Sequence, residues 1–304
     1  MTHIAQLAEL KPLLRSNVFL DLDEHTLLKT KQDGWVCCFL EMRLASAFQT
    51  IFRPNGSIYG REALLRASTF EHGELAAHHA FQLALEGSEL VLFDRLVRTL
   101  HLLNYAASFA KEEFIFLNVH PRLLTSVNHH GRVFEQILHY YSVPTSRVVI
   151  EIKASLVADD TKLLEAVNNY RSLGYRIAID DFAATQSSIE RVLNPPRHGE
   201  SLLFNHHDAE FERVLAVKPD FVKLDGAMIR AAEQISGASS SLYSLVNAFH
   251  LNAVKVVIAG IENSAQLDIA RNSGADLLQG FQLAHPEFAN DAYRDRIHSE
   301  QLAA

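Results

Sequence analysis

Short apolar, β-branched runs alternate with longer helix-like segments along this chain, and the runs end in polar side chains. FIFLNV (Phe114 to Val119) leads to a helical stretch around Leu123 to Tyr141, and RVVIEI (Arg147 to Ile152) leads to another around Leu163 to Leu173. RIAIDDF (Arg176 to Phe182), DFVKLD (Asp220 to Asp225), KVVIAGIE (Lys255 to Glu262) and DLLQGF (Asp276 to Phe281) continue the series. Continuous apolar strands alternating with helices indicate a parallel sheet covered on both faces. Asn118, Glu151, Asp180 with Asp181, Lys223 and Gln279 sit at or just past the C-terminal ends of these runs. In a closed (β/α)8 barrel such ends converge on one face, where active sites are built. A doubly wound open sheet would gather ligands only at a switch point between strands. The expected fold is therefore α/β, a (β/α)8 TIM-type barrel with a short N-terminal extension.

A length of 304 residues suits one such barrel of ~250 residues plus an extension. Residues 1–40 lack the alternation and read as a helical or mixed extension, the barrel is expected over 41–295, and 296–304 form a tail. Ser46 to Ile58 reads as strand, turn at Pro54-Asn55-Gly56 and strand, a hairpin by its turn chemistry. Asn194 to Asp208, with two prolines, a glycine and the His206-His207 pair, reads as irregular. It opens an inserted loop expected over about 194–216.

The net charge of −8, with no basic block, argues against a nucleic-acid or anionic-membrane surface, so neither DNA nor a membrane is expected as partner. The N-terminus lacks the basic start and apolar run of a secretory signal, and no stretch of ~18 apolar residues occurs. A cytoplasmic protein is expected. Adjacent Cys37 and Cys38 read as buried apolar residues of a reduced protein. The pairs His78-His79, His129-His130 and His206-His207 lack zinc spacing and read as solvated surface. Gly60 and Gly274 belong to no dinucleotide fingerprint.

Glu62, Asn118, Glu151, Asp180, Asp181, Lys223 and Gln279 carry the chemistry when taken together. A lone strand-end Asp more often caps a helix than binds metal. Mutually close carboxylates repel unless a cation sits among them. Four carboxylates and an amide on one face suit hard divalent ions, which take oxygen ligands. Two such ions suit phosphodiester cleavage, and Lys223 could hold the attacking water or offset developing charge.

GREALLR (Gly60 to Arg66) resembles the signature of the EAL phosphodiesterase family, and FLNVHPRLL, VIEI, IDDF, VKLD and QGFQLAHP resemble its later motifs in the family's order. The resemblance runs from about Glu41 to Pro286. It implies a cyclic di-GMP phosphodiesterase using two Mg²⁺ or Mn²⁺ ions. Carried over position by position, it makes Glu62, Asn118, Glu151 and Asp180 metal ligands, with Asp181 serving the second ion. It makes Lys223, Asp181 and Gln279 catalytic, Lys223 meeting the nucleophilic water. Ligand contacts are implied at Gln49, Glu62, Leu64, Arg66 and Asp180, with Arg66 on a phosphate and Gln49 at a guanine, although Thr50 stands where the family has proline.

Three departures lie near that chemistry. Ala259 of IAGIE stands where the family has the glutamate that works beside the lysine, while Glu262 matches the second glutamate of that motif. Ala154 replaces the glutamate that anchors the loop after the aspartate pair, and Ala183 and Thr185 replace both glycines of that loop, which is expected to reshape it. Glu262 is also a candidate cap for the helix near Ala265 to Asn272. The resulting expectation is a cyclic di-GMP-binding protein with weakened or absent hydrolysis, an effector acting on a protein partner or as a homodimer. An active phosphodiesterase giving the linear dinucleotide pGpG and a nucleotide-independent protein–protein regulator are the alternatives.

Overall fold

The chain folds around eight strands that close on themselves. Their order is β3 (Met42–Phe52), β11 (Leu277–Leu278), β10 (Lys255–Ile258), β9 (Phe221–Leu224), β8 (Arg176–Phe182), β7 (Val148–Lys153), β6 (Phe114–Asn118) and β4 (Ile58–Thr69), with β4 returning to β3. The computed structural model describes residues 27–71, 73–109, 112–126, 132–157, 161–193, 209–235 and 237–289. Seven strands run parallel, and β3 alone is antiparallel to both neighbours, because a tight turn rather than a helix joins it to β4. In that turn Asn55 Oδ1 accepts from the Ser57 backbone N–H at 3.0 Å, the local bond that makes Asn a turn former. The hairpin expected around Pro54-Asn55-Gly56 is thus present and longer than its sequence signal.

Helices cover the barrel's outside. α1 (Ala77–Glu86) and α2 (Leu90–Ser108) lead to β6, and α3 (Pro121–Ser126) with α4 (Arg132–Tyr140) to β7. α5 (Thr161–Ser172) precedes β8, and α6 (Gln186–Leu193) with α7 (Ala209–Ala216) precede β9. α8 (Gly226–Gln234), α9 (Ala238–Leu251) and α10 (Ser264–Asn272) complete the layer. Helix starts are encoded locally: Asp225 accepts from the Ala227 N–H at 2.7 Å to open α8 directly after β9. Asn263 does the same for α10, accepting from the Gln266 N–H at 2.9 Å, so Glu262 is not that helix's cap. Among the described residues no helix is long and apolar enough to cross a membrane.

Among the described residues two apolar cores result. The larger lies between strands and helices. The smaller fills the barrel and draws a side chain from every barrel strand: Ile51, Tyr59, Phe114, Phe116, Val149, Ala178, Phe221, Val257 and Leu277. Full burial of a side chain such as Phe116 stabilises the fold by about 1.5–3 kcal/mol. Because strand side chains alternate, this inner core fixes which residues two positions along face the barrel axis.

The described part of the N-terminal extension is not helical. β1 (Leu27–Thr30) and β2 (Gly34–Phe39) form an antiparallel hairpin paired onto the start of β3. Asn104 of α2 pins it, accepting from the Trp35 N–H at 2.7 Å and donating to the Trp35 carbonyl at 2.8 Å. The hairpin also corrects the cysteine reading, since neighbours on a strand face opposite ways and Cys37 is buried while Cys38 is exposed. β5 (Gly73–Leu75) extends β4, and β12 (Glu287–Phe288) pairs with β3. Residues 194–208 lie outside the described residues, while 209–216, read from sequence as the end of an inserted loop, are the regular helix α7. His78 and His79 are exposed as expected, whereas His129-His130 and His206-His207 lie outside the described residues.

Candidate active site

Alternation from the inner core builds the site. Two residues beyond Phe116 stands Asn118, two beyond Val149 stands Glu151, and two beyond Ala178 stands Asp180. Phe221 is followed in the same way by Lys223, Val257 by Ala259 and Leu277 by Gln279. Gln49 sits two residues before Ile51 on the antiparallel strand and pairs in register with Glu62. One layer above the apolar core, every barrel strand therefore presents a polar side chain except the one ending at Ala259.

The layer is bonded across the barrel axis. Lys223 Nζ donates to Glu62 at 2.8 Å and to Glu151 at 2.7 Å, and lies 3.5 Å from Asp180. Glu62 also accepts from Gln279 at 2.8 Å and from Asn118 at 3.1 Å. Gln279 donates to Gln49 at 3.2 Å, and Gln49 donates to the Ala284 carbonyl at 3.2 Å. Glu62, Glu151, Asp180, Lys223 and Gln279 are all buried.

Burial would lower the Lys223 ammonium, but Asp180, Glu151 and Glu62 outweigh it and hold the group well above the ordinary lysine value. Burial would raise Glu62, yet Lys223 and the three donated hydrogen bonds hold it below the ordinary range. Burial raises Glu151 well above that range, nearby Glu62 adds to the shift, and Lys223 offsets it only in part. Burial likewise raises Asp180, against Lys223 and with help from Glu62 and Asp181. Three carboxylates thus crowd one ammonium, an imbalance that favours the protonated forms of Glu151 and Asp180.

That imbalance bears on whether the residues suit a divalent ion. Among the described residues no three His, Cys, Asp or Glu side chains are arranged around a common point to hold one, and Lys223 stands at the centre of Glu62, Glu151 and Asp180. The donor set still fits a hard cation: it is all oxygen, and Glu151 Oε2 is buried without a hydrogen-bond partner. Asn118 joins Glu62, Glu151 and Asp180 in this group. Asp181 stands apart at the rim, hydrogen-bonded to Lys153.

A cleft of about 220 Å³ opens above the layer, lined by Gln49, Glu62, Asp180, Asp181, Lys223 and Gln279 together with Ala259, Glu262 and Phe281. Leu64 and Arg66, further along β4, do not line it. Arg66 donates to the Leu65 carbonyl at 3.1 Å, and burial lowers its guanidinium. Gln49 keeps its place although Thr50 follows it, and the Thr50 hydroxyl accepts from buried Arg61 at 2.7 Å on the barrel's outside.

After the aspartate pair Ala183 has a left-handed backbone with φ of 55°, the conformation glycine favours, so this residue is strained. Glu210 of α7 holds this loop, accepting from the Ala183 N–H at 3.3 Å and from Ser188 Oγ at 2.7 Å. Thr185 Oγ1 in turn accepts from the Ser188 N–H at 3.2 Å. Glu210 was invisible in sequence because its role depends on how α7 packs. Lys153 was missed as well, although a lysine directly before the altered Ala154 was there to be read. Phe281, exposed at the cleft mouth and stacked on His285 at 4.5 Å, is a third.

The model of the EAL domain matches residues 39–196 and 204–286. The chain is 24% identical over 251 residues to the cyclic di-GMP phosphodiesterase RocR of Pseudomonas aeruginosa, covering 79% of this chain and 57% of that one. The signaling protein YkoW of Bacillus subtilis is 26% identical over 155 residues, 51% of this chain and 17% of that protein. The chain thus spans well under two thirds of these curated relatives. Among solved structures, the FimX EAL domain from Pseudomonas aeruginosa bound to c-di-GMP superposes with a TM-score of 0.65 at 17% identity, covering 82% of this chain and 92% of that one. Klebsiella pneumoniae BlrP1, in a manganese and cyclic di-GMP complex, superposes with a TM-score of 0.63 at 17% identity, covering 95% and 68%.

Proposed function

The chain belongs to the EAL domain family, and from that premise we propose that it binds cyclic di-GMP at the barrel cleft, hydrolyses it weakly or not at all, and acts as a ligand-dependent effector. Relatives named cyclic di-GMP phosphodiesterases and EAL structures holding c-di-GMP support the ligand. The observation that carries the weakened chemistry is the alanine in the polar layer: every other barrel strand supplies a polar group there, and Ala259 supplies a methyl.

In this reading Glu62, Asn118, Glu151 and Asp180 would hold Mg²⁺ or Mn²⁺. A divalent ion at this place supplies Lewis acidity to a phosphate oxygen and acidifies water. Glu62 is poised to stay ionised, because three donors stabilise its charge. Lys223 remains protonated and offsets charge developing on the phosphate. Gln279 orients Glu62 and Gln49 from one amide nitrogen. At about 220 Å³ the cleft is smaller than pockets that enclose drug-sized ligands, so the dinucleotide lies across it with a base toward Phe281. Loss of one carboxylate at the reacting centre lowers the rate by roughly 10²–10³ while leaving binding in place.

A second reading, an active phosphodiesterase giving pGpG, is favoured by Glu262, a residue that lines the same cleft as Ala259. The deciding experiment incubates the protein with cyclic di-GMP and Mn²⁺ and follows the linear dinucleotide by chromatography, alongside calorimetric binding. Binding without product above the Glu62→Ala background supports the effector. Product that requires both Glu62 and Glu262 supports the enzyme, and absence of binding leaves a nucleotide-independent regulator. The proposed setting is the cytoplasm, with a protein partner or a second copy of the chain reading the bound state.

A further inference from the structure

Asp180 and Asp181 are neighbours on β8, so regular alternation would send their side chains to opposite faces. Asp181 instead has a left-handed backbone, φ of 57°, and both carboxylates reach one ammonium. Lys153, the last residue of β7 and in register with Asp180, hydrogen-bonds through Nζ to Asp181 and lies 3.8 Å from Asp180 Oδ2. No bond to the Glu62–Glu151–Lys223 cluster is needed for this contact. Asp180 therefore stands between two ammonium groups, Lys223 on the Glu62–Glu151 side at 3.5 Å and Lys153 on the Asp181 side.

Paired carboxylates at a barrel mouth repel and call for a cation. A divalent ion is one answer, and here a side chain fixed to the adjacent strand supplies another. A tethered ammonium is always at hand, and it repels a second cation approaching the same oxygens. We propose that Lys153 is the resident cation of the Asp180–Asp181 pair and excludes a divalent ion from Asp181, leaving only the Glu62 side of the site open to metal. This rests on the metal-binding reading given above. It assigns a place in the site to a residue whose neighbour, Ala154, marks the same strand end as altered.

The test counts Mn²⁺ bound per chain, with no nucleotide present, by titration followed through the electron paramagnetic resonance of free Mn²⁺. The variants are Lys153→Met, which removes the charge, and Lys153→Arg, which keeps it. The expected result is one ion in the wild type, two in Lys153→Met and one in Lys153→Arg. Two ions in the wild type would overturn the inference without any variant, so it does not depend on Lys153→Met folding. Equal counts in wild type and Lys153→Met also overturn it. If that equal count is one or two, the metal site stands and only the role of Lys153 falls; if it is zero, the metal-binding reading falls with it.

Discussion

Lys223 donates to Glu151 at 2.7 Å through one carboxylate oxygen, while the other oxygen of Glu151 is buried with no hydrogen-bond partner. The pair is therefore half satisfied, and its charge state couples to folding. Glu151 and Asp180 have raised values in the folded protein, so the fold binds more protons than the unfolded chain between the ordinary and the raised values. Stability contributed by these two groups must rise as pH falls toward the ordinary carboxylate value of about 4.3. Glu62 works the other way: its value is depressed, and its contribution is lost as pH falls below that same ordinary value. Thermal denaturation in chelator should show a Tm that climbs from pH 7 toward pH ~5 and then drops. Glu151→Gln should reduce the climb to the part Asp180 contributes, and a wild-type Tm that falls steadily from pH 7 downward would contradict the assignment.

Removing the ammonium tests the same cluster from its centre. Lys223→Met leaves buried carboxylates without their cation, a loss of about 3–5 kcal/mol for breaking a buried pair. Tm should fall by roughly 10 °C. Added Mn²⁺ should restore more stability to this variant than to the wild type, because the ion then meets no lysine at the centre of Glu62, Glu151 and Asp180. Equal Mn²⁺ stabilisation in both proteins would argue against a cation site there.

Ala259 offers a gain-of-function test. It lines the cleft with Glu62 and Lys223, and its strand places it in the polar layer. Ala259→Glu should raise pGpG formation by about 10²–10³. If turnover stays at the Glu62→Ala background, the missing carboxylate is not what limits hydrolysis.

Much of this site was legible because a barrel converts period-two alternation into convergence. FIFLN and RIAIDDF match β6 and β8 closely, so Asn118 and Asp180 could be placed before any coordinates. Where strands are shorter the reading was looser: DLLQGF yields only Leu277–Leu278 as strand, with Gln279 just beyond it. GWVCCF was missed as a strand because its first four residues are buried in an unbroken run, which periodicity alone cannot assign. Lys153 and Glu210 were not legible for another reason. Their roles lie in contacts with Asp181 and Ala183, 28 and 27 residues away along the chain, and nothing local marks such a pair.

Glu210 is accordingly the next residue to probe. It accepts from the Ala183 N–H and from Ser188, bridging α7 to the turn after the aspartate pair. Glu210→Ala leaves a part-buried donor unmet and should cost about 1–3 kcal/mol. Hydrogen exchange at the Ala183 amide should accelerate with it. Ala183→Gly should act oppositely: relief of left-handed strain, about 1–2 kcal/mol, is partly offset by the entropy of the unfolded glycine, about 0.4–1 kcal/mol. An unchanged Ala183 exchange rate in Glu210→Ala would remove Glu210 as the anchor.

Phe281 tests the ligand itself. An aromatic side chain left 55% exposed at a cleft mouth costs hydration energy, yet here it stacks on His285 with ring centroids 4.5 Å apart and planes inclined by 28°. Such a ring is a ready platform for a purine, and stacking of one base contributes about 1–3 kcal/mol. Phe281→Ala should therefore weaken cyclic di-GMP binding by roughly 5- to 100-fold while leaving Tm nearly unchanged, since an exposed ring contributes little to the core. Phe281→Trp should keep or tighten binding. Calorimetry on the three proteins checks this directly: equal affinity in wild type and Phe281→Ala would place the bases elsewhere along the cleft.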